Sequence, residues 1–241
     1  MFERQLNLQH ELGVWLLPLT GVADGGLVKG CERLSEDERA RFDTYTSASR
    51  RQEFALCRLL LRTVLTRYGY ASLAHAPLHK GAHGKPMFNT EEALAFNLSH
   101  TQGMAVLVLG GHKPVGIDVE PANRALPSAL LAPRCCHAEE LRWLASHTDN
   151  VARHRRHFLR LWVRKEAVLK ARGDGVHGGP RRIDAISIPG AAVCQTAPDR
   201  PPEQWKIIDI EAHADYLVSV ASALDAPQPV IELLEGPDAV I

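Results

Sequence analysis

Apolar positions along this 241-residue chain fall into two alternating periods, one of strands and one of helices. Val14-Trp15-Leu16-Leu17-Pro18-Leu19 is a continuous apolar run of strand length. Ser35-Glu36-Asp37-Glu38 has the form of a capping box, in which the serine and the third acidic residue each satisfy a free backbone N–H. A short helix is therefore predicted from there toward Tyr45. From Ser49 onward Phe54, Cys57, Leu61, Val64, Leu65 and Tyr68 recur at helical spacing, and Gly69 offers a stop. A loop rich in His, Gly and Lys follows from His79 to Pro86. Leu94, Phe96 and Leu98 then alternate as a strand, and Met104 to Leu109 reads as a more buried one. Thr101-Gln102-Gly103 between them predicts a hairpin.

After Gly110-Gly111-His112-Lys113-Pro114 the order begins again. Val115, Ile117 and Val119 share one face of a predicted strand, while Asp118 and Glu120 lie side by side on the other. Helices follow near 137–146 and 152–171, then strands near 183–188, 205–210 and 216–223. Ala197 to Glu203 is rich in proline and reads as a loop. The expected fold class is α/β (α+β), a duplication of two β-α-α-β-β halves, although the halves share no evident residue-level identity. The first half is placed at 1–111 and the second at 112–225, with a peripheral tail at 226–241. Residues 115–120 would then lie close to the seam between the halves, a common location for ligand sites.

Composition adds little to this pattern. Apolar residues make up 45% and charged residues 23%, ordinary for a globular protein. Lys+Arg and Asp+Glu are each 28, so net charge gives no sign of nucleic-acid binding, and local clustering must carry any electrostatic argument. No stretch approaches the length of apolar sequence a membrane helix needs, and Met1-Phe2-Glu3-Arg4-Gln5 does not open a secretory leader. The five cysteines are irregularly spaced without a C-x-x-C pair, which fits reduced thiols in a cytoplasmic protein.

Local clusters are more informative. Asp118 and Glu120 repel one another unless a base, solvent or a metal compensates. Gly116 removes bulk from the same face and would leave room for a ligand to reach the backbone. Glu166 and Lys170 lie one turn apart on the second long helix, with Trp162 one turn earlier. Three carboxylates beside a lysine suit Mg²⁺ holding a phosphate group, because that ion prefers a few carboxylates plus phosphate and water. Lys80-Gly81-Ala82-His83-Gly84-Lys85-Pro86 is basic and glycine-rich, but Pro86 stands where the Walker pattern needs a hydroxyl residue. Asn97-Leu98-Ser99-His100 ends a strand with polar groups able to bond phosphate oxygens. Arg153-His154-Arg155-Arg156-His157 is the densest positive cluster, set where cations oppose the helix dipole, and an acidic protein partner would justify it. Cys135-Cys136-His137 with His154 and His157 makes a poor zinc site, since adjacent cysteines are weak structural ligands and no second pair appears.

Read in order, G-K-P at 84–86, F-N-L-S-H at 96–100, G-I-D-V-E at 116–120 and W-V-R-K-E-A-V-L-K at 162–170 resemble the Sfp type of 4′-phosphopantetheinyl transferase, with a weaker echo from Arg39 to Arg62. The resemblance implies a pseudo-twofold fold with the active site at the interface of the halves. It implies transfer of the 4′-phosphopantetheine arm of coenzyme A to a serine of an apo acyl or peptidyl carrier protein, with release of 3′,5′-ADP. By this resemblance Asp118, Glu120 and Glu166 match the metal ligands. Lys85, Ser99, His100 and Lys170 match coenzyme A phosphate contacts, and Arg58 meets the nucleotide. Arg51 and Lys80 match less securely because of a small insertion before Arg58. Glu166, directly or through water, is the candidate base. The implied cofactor is Mg²⁺, and the implied partners are coenzyme A and a carrier protein with an acidic surface. No nucleic acid and no membrane are expected, and the protein is expected to be a monomer. The rival readings are a metal-dependent phosphodiesterase or nuclease, which would use the same carboxylates on water, and a non-catalytic coenzyme A-binding protein.

Overall fold

The computed structural model describes residues 6–8, 10–22, 26–81, 83–90, 94–147, 149–173, 175, 179–186, 192–194 and 203–241. The Pro-rich stretch 197–202 and the end of the strand expected at 183–188 lie outside them. The chain divides into two compact units, one of residues 1–112 with 227–241 and the other of 113–226.

In the first unit, strand β1 (Gly13–Pro18) is followed by helices α1 (Gly26–Cys31), α2 (Glu36–Thr44), α3 (Ala48–Arg67) and α4 (Ala71–His75). A small hairpin of β2 (His79–Lys80) and β3 (Pro86–Met87) precedes β4 (Phe96–Thr101) and β5 (Met104–Leu109). The capping box forms as the sequence indicates: the Ser35 side chain accepts from the Glu38 N–H, and Glu38 accepts from the Ser35 N–H. Gln102-Gly103 makes the tight β4–β5 turn, with Gly103 at φ 83°, a conformation that suits glycine. The tail is not peripheral. Its strand β11 (Val230–Leu233) pairs in parallel with β1, giving the sheet order β11-β1-β5-β4. Leu234 and Val240 are buried in the core that α3 forms with the sheet, so their apolar side chains, not the prolines around them, decide where the tail lies.

The second unit contains β6 (Gly116–Pro121), α5 (Ser128–Cys135), α6 (Ala138–Ser146), α7 (Val151–Arg172), β7 (Ile183–Asp184), β8 (Ala192–Cys194), β9 (Glu203–Ile210) and β10 (Tyr216–Ser222). Its sheet has the order β6-β10-β9-β8-β7. Asn150 caps α7 by accepting from the Arg153 N–H, and Gly173 ends it in the left-handed conformation, donating its N–H to Leu169 O. One face of α7 packs on β6 and β10 through Leu159, Val163, Ala167, Val168 and Ala171.

The repeat read from the periodicity has a topological counterpart. Both units contain an antiparallel trio with the last strand in the middle, β1-β5-β4 and β6-β10-β9. Both carry a long helix between the first strand and the last two. The periodicity missed α1, α4, α5 and the short hairpin because they are too brief to show a period.

Candidate functional site

The acidic group belongs entirely to the second unit. Gly116, Asp118 and Glu120 alternate onto the face of β6 that α7 covers. A side chain on Gly116 would run into the helix backbone, its Cβ lying 2.1 Å from Ala167 O and 2.4 Å from Ala171 N. The room expected there for a ligand is therefore filled by α7. The glycine serves to let helix and strand approach closely, and that approach sets Glu166 and Lys170 beside the two carboxylates. Lys170 Nζ donates to Asp118 Oδ1 at 2.6 Å, and Arg124 pairs with Glu120 one helical turn's spacing away in sequence. Asp118 is 6% exposed.

Burial pushes the Glu166 carboxyl above its ordinary value, and the charges of Asp118 and Glu120 add to the rise while Lys170 opposes it. Burial also raises Glu120, with Arg124 opposing and Asp118 adding. These mutual effects bring the three predicted carboxylates into one electrostatic group. Glu166 Oε1 is buried and has no hydrogen-bond partner among the described residues. The three side chains do not present oxygens that all lie within 4.8 Å of one another; among the described residues only His137, Glu140 and Asp184 form such a triplet. As the side chains stand, Lys170 and Arg124 supply the neutralising charge. The donor set of hard oxygens, with one buried oxygen unsatisfied, fits a small hard cation that keeps part of its water shell.

A row of polar residues continues from Asp118 across the sheet. Ser219 is its cross-strand partner on β10, and Asp209 is the partner of Ser219 on β9. The Ser219 hydroxyl donates to Asp209 Oδ1 at 2.6 Å, and Arg164 of α7 donates to both Asp209 oxygens and to Ala185 O. Burial pushes Asp209 up, but the Arg164 bonds and charge, helped by Ser219 and Arg160, outweigh it and hold the carboxyl below its usual range. This row pins α7 to the sheet at one end while Lys170 pins it at the other.

Lys165, which the sequence presents as one more charged neighbour of Glu166, is fully buried. Its ammonium reaches Glu140 Oε2 at 2.6 Å, Pro180 O at 2.9 Å and Ile183 O at 2.5 Å, so all three protons are used. Glu140 in turn accepts from the N–H groups of Ala185 and His137. This network also explains the His137–Glu140–Asp184 triplet. Glu140 is already neutralised, and His137 Nδ1 accepts from the Glu139 N–H, which places the ring proton on Nε2 rather than a lone pair. The cysteine–histidine zinc reading gains nothing: Cys136 is buried and its thiol is pushed up to about 12, His154 bonds Ser128, and His157 packs edge-on against Trp143.

Two of the basic candidates of the first unit, Arg58 and Lys80, line a cavity of about 740 Å³ between α2, α3 and the β2–β3 hairpin. Arg58, Lys80, Gly84 and Pro86 line it, together with Arg41, which the sequence reading passed over. Arg58 lies 3.7 Å from Glu38 and over the Phe54 ring, while Arg62 forms the tighter pair with Glu38 at 2.6 Å. Lys85 does not line the cavity; burial lowers its ammonium to about 8. Arg51 is turned away, donating to Tyr45 O and lying over Phe42, where it closes the end of α2. Ser99 is buried in β4, and the neighbouring His100 is exposed, its Nε2 3.9 Å from Glu53.

Comparison with known proteins bears on the family resemblance. Residues 114–221, which hold β6, α7 and the carboxylates, match the model of the 4′-phosphopantetheinyl transferase superfamily. The 4′-phosphopantetheinyl transferase HetI of Nostoc sp. is 29% identical over 225 residues, 92% of each chain. The 4′-phosphopantetheinyl transferase gsp of Aneurinibacillus migulanus is 28% identical over 144 residues, 60% of this chain and 58% of that one. The 4′-phosphopantetheinyl transferase AcpT of Escherichia coli O157:H7 is 34% identical over 121 residues, 44% of this chain and 55% of that one. A solved holo-[acyl-carrier-protein] synthase of Thermotoga maritima overlaps 48% of this chain and 64% of its own at 20% identity and a TM-score of 0.31, too slight a likeness to argue from. Taken with the four motifs in order, these matches show that residues 114–221 are similar to the 4′-phosphopantetheinyl transferase superfamily and that much of the chain is similar to proteins named as such transferases.

Proposed function

We propose that the protein transfers the 4′-phosphopantetheine group of coenzyme A to a serine of an apo carrier protein in a Mg²⁺-dependent reaction that releases 3′,5′-ADP. The observation that carries this reading is the convergence of Asp118, Glu120, Glu166 and Lys170 on one face of β6 and α7, with a buried Glu166 oxygen left unsatisfied. Asp118, Glu120 and Glu166 would hold the cation. The ion, when bound, supplies neutralisation of the pyrophosphate and of charge developing on the leaving phosphate.

The remaining work falls to groups of the chain. Lys170 stands 2.6 Å from Asp118 and would donate to a phosphate oxygen of the bound substrate. The raised affinity of Glu166 for a proton suits it to take the serine proton, directly or through water, as the hydroxyl oxygen bonds to phosphorus and the ADP oxygen departs with its electron pair. In the first unit Arg58, Lys80 and Lys85 would attract the nucleotide phosphates, with Ser99 and His100 as further contacts. The placement of Arg51 against Tyr45 O favours a role in holding α2 over direct contact. A phosphodiesterase acting on water would leave the basic cavity without use. The deciding experiment is incubation with coenzyme A, Mg²⁺ and several apo carrier proteins, followed by intact mass. A phosphopantetheine-sized gain on a carrier is expected, and no gain on any of them would refute the reading.

A further inference from the structure

The arginines of α7 before Glu166 divide into two groups. Arg153 pairs with Asp149 at 3.0 Å, Arg160 lies 3.4 Å from Asp209, and Arg164 is bound to Asp209 through both its oxygens. Arg155 and Arg156 make no hydrogen bond or ion pair with any described residue. Both sit in the second turn of α7, just past its positive N-terminal end, where a cation gains nothing from the helix dipole. No acidic residue occurs in α7 before Glu166 to relieve them. A stretch selected only for helix stability would have the opposite charge there, as α2 does with Glu36, Asp37 and Glu38 in its first turn.

The position of the pair on the helix gives it a direction. Eleven residues make about three turns of α-helix, so Arg155 and Glu166 lie on nearly the same line of α7, about 16 Å apart along the axis. Trp162 and Lys170 lie close to that line. All four side chains are half-buried, neither sunk in the core nor fully exposed. A half-open stripe thus runs from Arg155 to the carboxylate proposed to take the serine proton, with the exposed Arg156 about 100° around the helix from Arg155. A compact domain of roughly 100 residues has a radius of gyration near 13 Å, so one seated on the arginines spans the distance to Glu166.

We infer that the first turns of α7, through Arg155 and Arg156, are the docking surface for an acidic face of the protein substrate, which then lies along the Arg155–Trp162–Glu166 stripe and brings its serine to Glu166. This rests on the proposed transfer reaction and names where its protein partner binds. Complementary charge of this kind steers association and fixes register more than it adds raw affinity.

The test uses the full chain, an acidic apo acyl carrier protein, coenzyme A and Mg²⁺. The double variant Arg155→Glu/Arg156→Glu is expected to raise the KM for the carrier by about tenfold or more while the KM for coenzyme A and kcat at saturating carrier stay put. The variant Arg155→Lys/Arg156→Lys should keep the wild-type carrier KM. An unchanged carrier KM in the Glu variant overturns the inference, and so does an equal change in the coenzyme A KM. If the Glu variant melts early, Arg155→Gln/Arg156→Gln replaces it, with a smaller rise expected and no rise overturning the idea. Direct titration of the carrier onto wild type and variant without coenzyme A separates this from the catalytic proposal. A wild type that binds the carrier and modifies nothing refutes the transfer reaction, while the affinity difference still decides the docking surface. A wild type that does not bind the carrier overturns the docking surface itself.

Discussion

The two units place opposite chemistry on the same strand. β1 reads Gly13-Val14-Trp15-Leu16-Leu17-Pro18 and β6 reads Gly116-Ile117-Asp118-Val119-Glu120-Pro121, six residues each, glycine first and proline last. Each pairs antiparallel with the last strand of its trio in the same register. In the first unit the row beneath the long helix is Trp15, Leu107 and Leu98; in the second it is Asp118, Ser219 and Asp209. The first row joins the core under α3. The second is a line of hydrogen bonds and ion pairs ending at the proposed cation ligands. The duplicated scaffold therefore tolerates a polar row in place of an apolar one, provided each buried polar group finds a partner. The first unit's row is apolar core, and the second's holds the proposed cation ligand Asp118.

This contrast is sharpest at paired substitutions. Asp118→Ala should lower transfer by about a hundredfold or more, as loss of a group that stabilises developing charge does, with little change in melting temperature. Trp15→Ala, at the matching position, should cost about 3–5 kcal/mol of stability, because it empties a fully buried site, and leave kcat of the remaining folded protein unchanged. Urea denaturation with parallel rate measurements checks both; an Asp118 variant that unfolds as easily as the Trp15 variant would erase the distinction.

A smaller effect is expected at Glu166. Its proton affinity is raised in the folded state, so its ionised form at neutral pH costs stability, and that cost disappears as pH falls below the ordinary carboxylate range. Glu166→Gln should accordingly raise the melting temperature at pH 7 and confer no gain near pH 4, while abolishing both transfer and any Mg²⁺-dependent rise in melting temperature. Equal melting of variant and wild type at pH 7 would show that the carboxylate is not strained. The smallest effect lies in the first unit. Lys85 is lowered to about 8, so it loses its charge as pH climbs through that value. The KM for coenzyme A should rise above pH 8 in the wild type and stay flatter in Lys85→Arg, since arginine keeps its charge. Steady-state kinetics from pH 7 to 9 distinguish the two.

The carboxylates, the basic loop and both long helices were legible in the sequence because each has a local signature: alternation in β6, helical spacing in α3 and α7, a capping box at Ser35. What the sequence could not show was where the neighbours of these groups come from. The Lys165–Glu140 pair and the Arg164–Asp209–Ser219 row join residues far apart in the chain, with no periodicity linking them. Trp15 and Asp118 become equivalent only once strand register is known.

The sequence by itself determined which side chains carry charge, which segments repeat, and which short motifs carry the family resemblance, because these depend on residue type and spacing alone. Tertiary structure decided that Gly116 serves helix packing instead of ligand access, that the tail completes the first sheet, and that Arg155 and Arg156 find no ion-pair partner among the described residues. Those outcomes depend on burial and on partners brought in from distant parts of the chain, and burial is a property of the packed molecule that no local window contains.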